Sequence, residues 1–214
     1  MIDVEQIRQH LQQLRISRPR FRLPVMQEQA EKLLVEALKV EVSLRHRTLD
    51  ESGAYGNYVA EAAHFLTSGE KFGLIICGAP GNGKTTLMRS MQRLINAFHL
   101  DDRYGETLTM QWRTAKDIVW LAGKDIKAYD RLCDTQALAI DDLGEEPVEI
   151  LDYGNVRNPV IDLLSNRYDK QLLTLVTTNT PNDKIRERYG DRIADRFNEM
   201  MQVIIFTNPS YRKQ

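Results

Sequence analysis

Apolar residues along this chain fall first at helical spacing and then, from about residue 72, in short runs that alternate with helical stretches. Ile7, Leu11 and Leu14 recur every three or four residues, which predicts a short amphipathic helix within 1–16. Pro19 and Pro24 interrupt the pattern. It resumes over 25–45 through Met26, Ala30, Leu33, Leu34, Ala37 and Leu38, with Glu41 breaking the same face. Asp50-Glu51-Ser52-Gly53 reads as a loop, and Tyr55 to Leu66 as a helix closed by Ser68-Gly69.

From Phe72 the rhythm becomes strand, loop, helix. Strands are expected over 73–77, 107–112, 137–142, 172–178 and 202–206. Helices are expected over 84–98, 115–131, 155–169, 182–188 and 190–200, the first with Leu87, Met91, Leu94, Ile95 and Phe98 on its inner face. Such alternation predicts an α/β fold, a parallel five-stranded sheet with helices on both faces in three layers. In these sheets chemistry gathers at the carboxyl ends of strands.

One loop there is complete. Gly78-Ala79-Pro80-Gly81-Asn82-Gly83-Lys84-Thr85, followed by Thr86, has the spacing G-x-x-x-x-G-K-[ST] after an apolar run. Its glycines let backbone N–H groups converge on nucleotide phosphates. Lys84 reaches the β- and γ-phosphates, and the Thr85 hydroxyl can ligate Mg²⁺. A helix starting near Lys84 adds its positive end. ATP and Mg²⁺ are the expected ligands. A Gly-rich hairpin turn is the bland alternative, and the flanking strand and helix argue against it.

Other polar residues share that edge of the sheet. Asp141 ends a buried-type strand, where it would hold Mg²⁺ through the ion's water shell rather than merely cap a turn. Asp142 is the candidate for orienting or deprotonating the attacking water, against a solvated acid in a run that continues to Glu145 and Glu146. Asn179 can contact both γ-phosphate and water, although Asn before Thr-Pro is also ordinary turn chemistry. Arg192 and Arg196 share a helical face and can neutralise a phosphoryl-transfer transition state. Asp191 and Asp195 beside them equally fit a solvated, ion-paired helix.

Composition narrows the class. The 214 residues are 42% hydrophobic and 28% charged with a net charge of −1, so nucleic-acid contact requires a local patch. Arg15, Arg18, Arg20 and Arg22 around Phe21 form one, able to bind single-stranded nucleic acid or to serve as a solvated linker. Trp112 and Trp120 can stack on bases, but their apolar neighbours favour the core. Cys77 and Cys133 fit a reducing compartment, and the scattered His10, His46, His64 and His99 offer no zinc spacing. The acidic start lacks a secretory pattern and no run is long enough to span a membrane, so the expected location is cytoplasmic.

Together these elements resemble the AAA+ ATPases of the DnaC/DnaI helicase-loader group and the related IstB-type transposition helpers, over roughly 70–212. The carriers are Gly78–Thr85, Leu138-Ala139-Ile140-Asp141-Asp142-Leu143-Gly144, Asn179 at the family's sensor position, Tyr189-Gly190-Asp191-Arg192-Ile193-Ala194-Asp195-Arg196, and the ending Ser210-Tyr211-Arg212. The resemblance implies an ATPase in DNA replication that forms a homo-oligomer with ATP, contacts single-stranded DNA, and loads a DnaB-type replicative helicase. It makes Arg192 the better finger acting in trans, with Arg196 second. Only eight residues follow Phe206, which implies a core of 51–214 without a C-terminal helical lid, preceded by a helical partner-docking extension over 1–50.

Three features depart from the loaders: Asp142 where many have Glu, a short stretch between Trp112 and Leu138, and an N-terminus without cysteines. A DNA transposase is the alternative partner. A small-molecule kinase would need an Arg-rich lid that 141–169 does not offer, and no Asn-Lys-x-Asp guanine signature occurs.

Overall fold

The structure, a computed structural model, describes residues 3–14, 20–49, 55–152 and 155–211. The predicted loop over 50–53, Arg15, Arg18 and Arg212 lie largely or wholly outside these residues. Three helices come first: α1 (Val4–Leu14), α2 (Gln27–Ser43) and α3 (Tyr55–Ser68). The sheet follows, formed by β1 (Gly73–Gly78), β2 (Gln111–Thr114), β3 (Ala137–Leu143), β6 (Leu173–Thr178) and β7 (Met201–Phe206). Its order is β2-β3-β6-β1-β7, with every neighbouring pair parallel. Crossovers run through α4 (Lys84–Ala97), α5 (Ala115–Lys124), α6 (Ile126–Asp134), α7 (Pro159–Asp169), α8 (Asn182–Tyr189) and α9 (Asp191–Met200). A hairpin of β4 (Ile150–Asp152) and β5 (Asn155–Arg157) lies between β3 and α7.

The central strands β1, β3 and β6 are buried on both faces, so they read as continuous apolar runs rather than alternating ones. β6 is buried along its whole length. On one face Leu87, Met91 and Ile95 of α4 pack with Phe65 and Leu66 of α3 and with Leu34 and Leu38 of α2. On the other, Ile118, Leu132, Leu163, Ile193 and Phe197 from α5, α6, α7 and α9 form a second cluster. Part of the N-terminal segment 1–50 therefore shares the core of the sheet. Glu41, which breaks the α2 stripe, is buried and accepts a charge-assisted hydrogen bond from Arg93 on α4.

Four local expectations are revised. The helix expected over 115–131 is two helices, because Asp125 ends α5 in a non-helical conformation and its carboxylate caps α6 at Ala128 N–H, 2.9 Å away. The helix expected from 155 begins at Pro159, whose ring suits a first helical turn, and 150–157 is the hairpin. The strand expected over 107–112 joins the sheet only at Gln111. Leu108 and Met110 bond instead to Leu100 O (2.7 Å) and the Asn96 side chain (2.8 Å). Trp120, expected in the core, is 62% exposed on α5, while Trp112 is half-buried with the Arg89 guanidinium 4.1 Å from its ring.

Candidate nucleotide site

The loop after β1 reaches α4 through Gly83, at φ 102°, a left-handed conformation that glycine adopts without strain. A Cβ there would also meet the Tyr55 hydroxyl at 2.8 Å, and that hydroxyl donates to Gly83 O at 2.9 Å. Within this bend the Lys84 ammonium donates to Gly78 O and Ala79 O, both at 2.8 Å, to Asn82 Oδ1 at 3.2 Å and to Asn179 Oδ1 at 2.8 Å. An ammonium has three hydrogens, so these acceptors share them. The loop and the end of β6 thus meet at one cation.

Asp141, buried at the end of β3, accepts from the Thr85 hydroxyl at 3.0 Å and from the Thr177 hydroxyl. Thr177 also accepts from the backbone N–H of Asp142 at 3.0 Å. Asp142 has a left-handed φ of 56°, costly for a residue with a side chain. Its half-buried carboxyl is pushed above the ordinary aspartate pKa by burial, then by Asp141 and Glu145, against Lys84 and Lys116. The Thr85–Asp141 pair offers hydroxyl and carboxylate oxygens together, a donor set that suits a hard divalent cation such as Mg²⁺.

These residues line one cavity of about 1030 Å³ that takes in Pro80 to Thr86, Asp141, Asp142 and Asn179. Its far wall comes from residues that sequence reasoning did not assign. Arg45, just past α2, donates to the Thr86 hydroxyl at 2.5 Å. Arg47 donates to Tyr211 O at 2.6 Å, and Tyr211 N–H donates to Gly81 O at 2.9 Å. The run Arg45-His46-Arg47 at the end of a predicted helix was a usable signal, as three basic side chains on consecutive residues of a turn suit an anionic ligand. Thr177 carried no signal, being one apolar-strand threonine among several.

Arg192 and Arg196 do not line this cavity. Arg192 is exposed on α9 with no side-chain partner among the described residues. Arg196 pairs with Asp169 at 3.0 Å and lies 4.7 Å from the Tyr168 ring centre. The N-terminal basic patch is likewise partly committed: Arg20 bonds Glu70 O and faces the Phe72 ring, and Phe21 packs on the core.

The strand order, the loop after β1 and the acids near the end of β3 define an α/β fold of the P-loop NTPase kind. Solved structures share it. A DnaC helicase loader is 21% identical with a TM-score of 0.56, covering 74% of this chain and 94% of that one. DnaI is 18% identical with a TM-score of 0.56, covering 82% and 92%. AMPPCP-bound DnaA from Aquifex aeolicus is 14% identical with a TM-score of 0.52, and the match spans 79% of this chain but about half, 51%, of DnaA. No protein-family model and no curated protein matches the sequence. No helix among the described residues is long and apolar enough to cross a membrane.

Proposed function

We propose that this chain binds and hydrolyses ATP and uses the cycle, as a homo-oligomer, to control the loading of a replicative helicase onto single-stranded DNA. One observation carries the hydrolytic part: Lys84, Thr85, Asp141, Asp142 and Asn179 converge from three segments on a single cavity. Triphosphate oxygens replace the loop carbonyls as acceptors for Lys84, and backbone N–H groups with the α4 N-terminus hold the remaining charge. Mg²⁺, held through Thr85 and Asp141, would supply charge neutralisation on the β- and γ-phosphates. Asp142 accepts a proton from, or orients, the attacking water, and Asn179 fixes the γ-phosphate beside Lys84. The exposed Arg192 supplies transition-state charge to a neighbouring copy.

The similarity to helicase loaders over nearly their whole length supports the replication reading. Its test is capture with the full chain carrying Asp142→Asn, loaded with ATP. Retention of a hexameric DnaB-type helicase with ATP, and not without it, is the expected result. Retention of a transposase instead, or of neither, contradicts the reading.

A further inference from the structure

Glu146 is a buried carboxylate, 2% exposed, that the chemistry above does not use. One oxygen accepts from Gly144 N–H at 2.8 Å, in the loop just behind Asp142. The other accepts from the Tyr189 hydroxyl at the end of α8, and the Arg188 guanidinium lies 3.8 Å away while also bonding Glu146 O. Burial and then Glu146 push the Tyr189 phenol far above its ordinary pKa, so it remains a donor.

Further contacts hold the loop itself in place against the sheet. Thr178 donates to Leu143 O at 2.6 Å, and Glu145 N–H donates to Asp142 O at 3.2 Å. Beyond Tyr189, Gly190 turns the chain directly into α9. Arg186 of α8 bonds both Asp191 and Asp195 of α9, fixing one helix against the other. Polar contacts thus run from the Asp142 loop through Glu146 to the end of α8, and Gly190 joins that end to the helix carrying Arg192. Buried hydrogen-bonded carboxylates are costly to break on one side, which makes Glu146 the rigid joint in that set.

We infer that Glu146 is a positioning residue that clamps the loop behind Asp142 to the end of α8, so that nucleotide bound at Asp142 and Asn179 orders the α8–α9 elbow. The clamp makes the presentation of Arg192 depend on the occupancy of its own copy's cavity. Contiguous packed contacts of this kind carry coupling between sites, and an intermediate residue touches neither ligand.

This inference rests on the reading that ATP occupies the cavity, and binding is measured separately with a fluorescent ATP analogue. The test is amide hydrogen exchange of the full chain with a non-hydrolysable ATP analogue and Mg²⁺. Wild type is expected to gain protection over both 78–86 and 186–196. Tyr189→Phe keeps the ring but cuts the bond to Glu146. It is expected to retain protection over 78–86 and lose it over 186–196, and to lower kcat about tenfold with KM unchanged. Glu146→Ala, checked by its melting curve, should do the same. Equal protection of 186–196 in wild type and Tyr189→Phe overturns the coupling, as does no protection there in wild type that binds the analogue. Failure of wild type to bind the fluorescent analogue overturns both the coupling and the nucleotide reading.

Discussion

Asp142 combines a left-handed backbone with a carboxyl whose pKa is raised, two costs at one position beside the phosphate loop. A proton acceptor must be ionised, and a raised pKa keeps the protonated form to higher pH. The acidic limb of kcat/KM, which reports the free enzyme, is therefore expected above the ordinary aspartate range, and a pH–rate profile checks it. Asp142→Asn should bind ATP but hydrolyse it at least about 100-fold more slowly. The same shift has a stability sign. The ionised form is disfavoured in the fold, so that cost is present at neutral pH and vanishes below the unfolded pKa. Asp142→Asn should raise Tm at neutral pH and lose that advantage in acid. An advantage that grows in acid would refute the environment described for this carboxyl. Residue types and spacing made Asp141, Asp142, Asn179 and Lys84 legible in the sequence. The Thr177 bridge and the Arg45 wall were not, because they depend on which strand and turn face the loop.

Among the elements, α2 shows how far the N-terminal segment is built into the fold. Leu38 is fully buried in the cluster that also holds Leu87 and Met91. Leu38→Ala should cost about 2–5 kcal/mol and lower the single melting transition of the sheet domain. A separate early transition would mean that α2 folds independently. The loop after β3 makes the complementary point. Gly144 has φ 105°, and a Cβ there would meet the Thr180 hydroxyl at 2.2 Å. Gly144→Ala should cost about 1–3 kcal/mol by chemical denaturation, and an unchanged midpoint would rule out the close approach. β1, β3 and β6 were readable because buried parallel strands need continuous apolar runs, whereas the polar β2 was expected too early in the chain. The α5–α6 break and the β4–β5 hairpin were not. Asp125 can sit inside or between helices, and the three residues 155–157 are too few to separate from the helical pattern that follows them.

In the whole molecule, every polar group expected at the carboxyl ends of β1, β3 and β6 meets in one cavity, while Arg192 stands outside it. That separation is what a site completed by a second copy requires. Resemblance suggested Arg192, but spacing alone could not, since assembly geometry is written in surfaces rather than in local periodicity. If the site is shared, turnover per chain should rise with protein concentration, which a dilution series measures. The most direct measurement mixes two disabled full-length variants, Asp142→Asn and Arg192→Ala, and follows ATP hydrolysis. Each alone should be nearly inactive, and mixing should restore turnover at sites that pair an intact Asp142 with a neighbour's intact Arg192. A mixture that stays as inactive as its components, under conditions where wild type turns over ATP, would contradict a catalytic site shared between copies through Arg192.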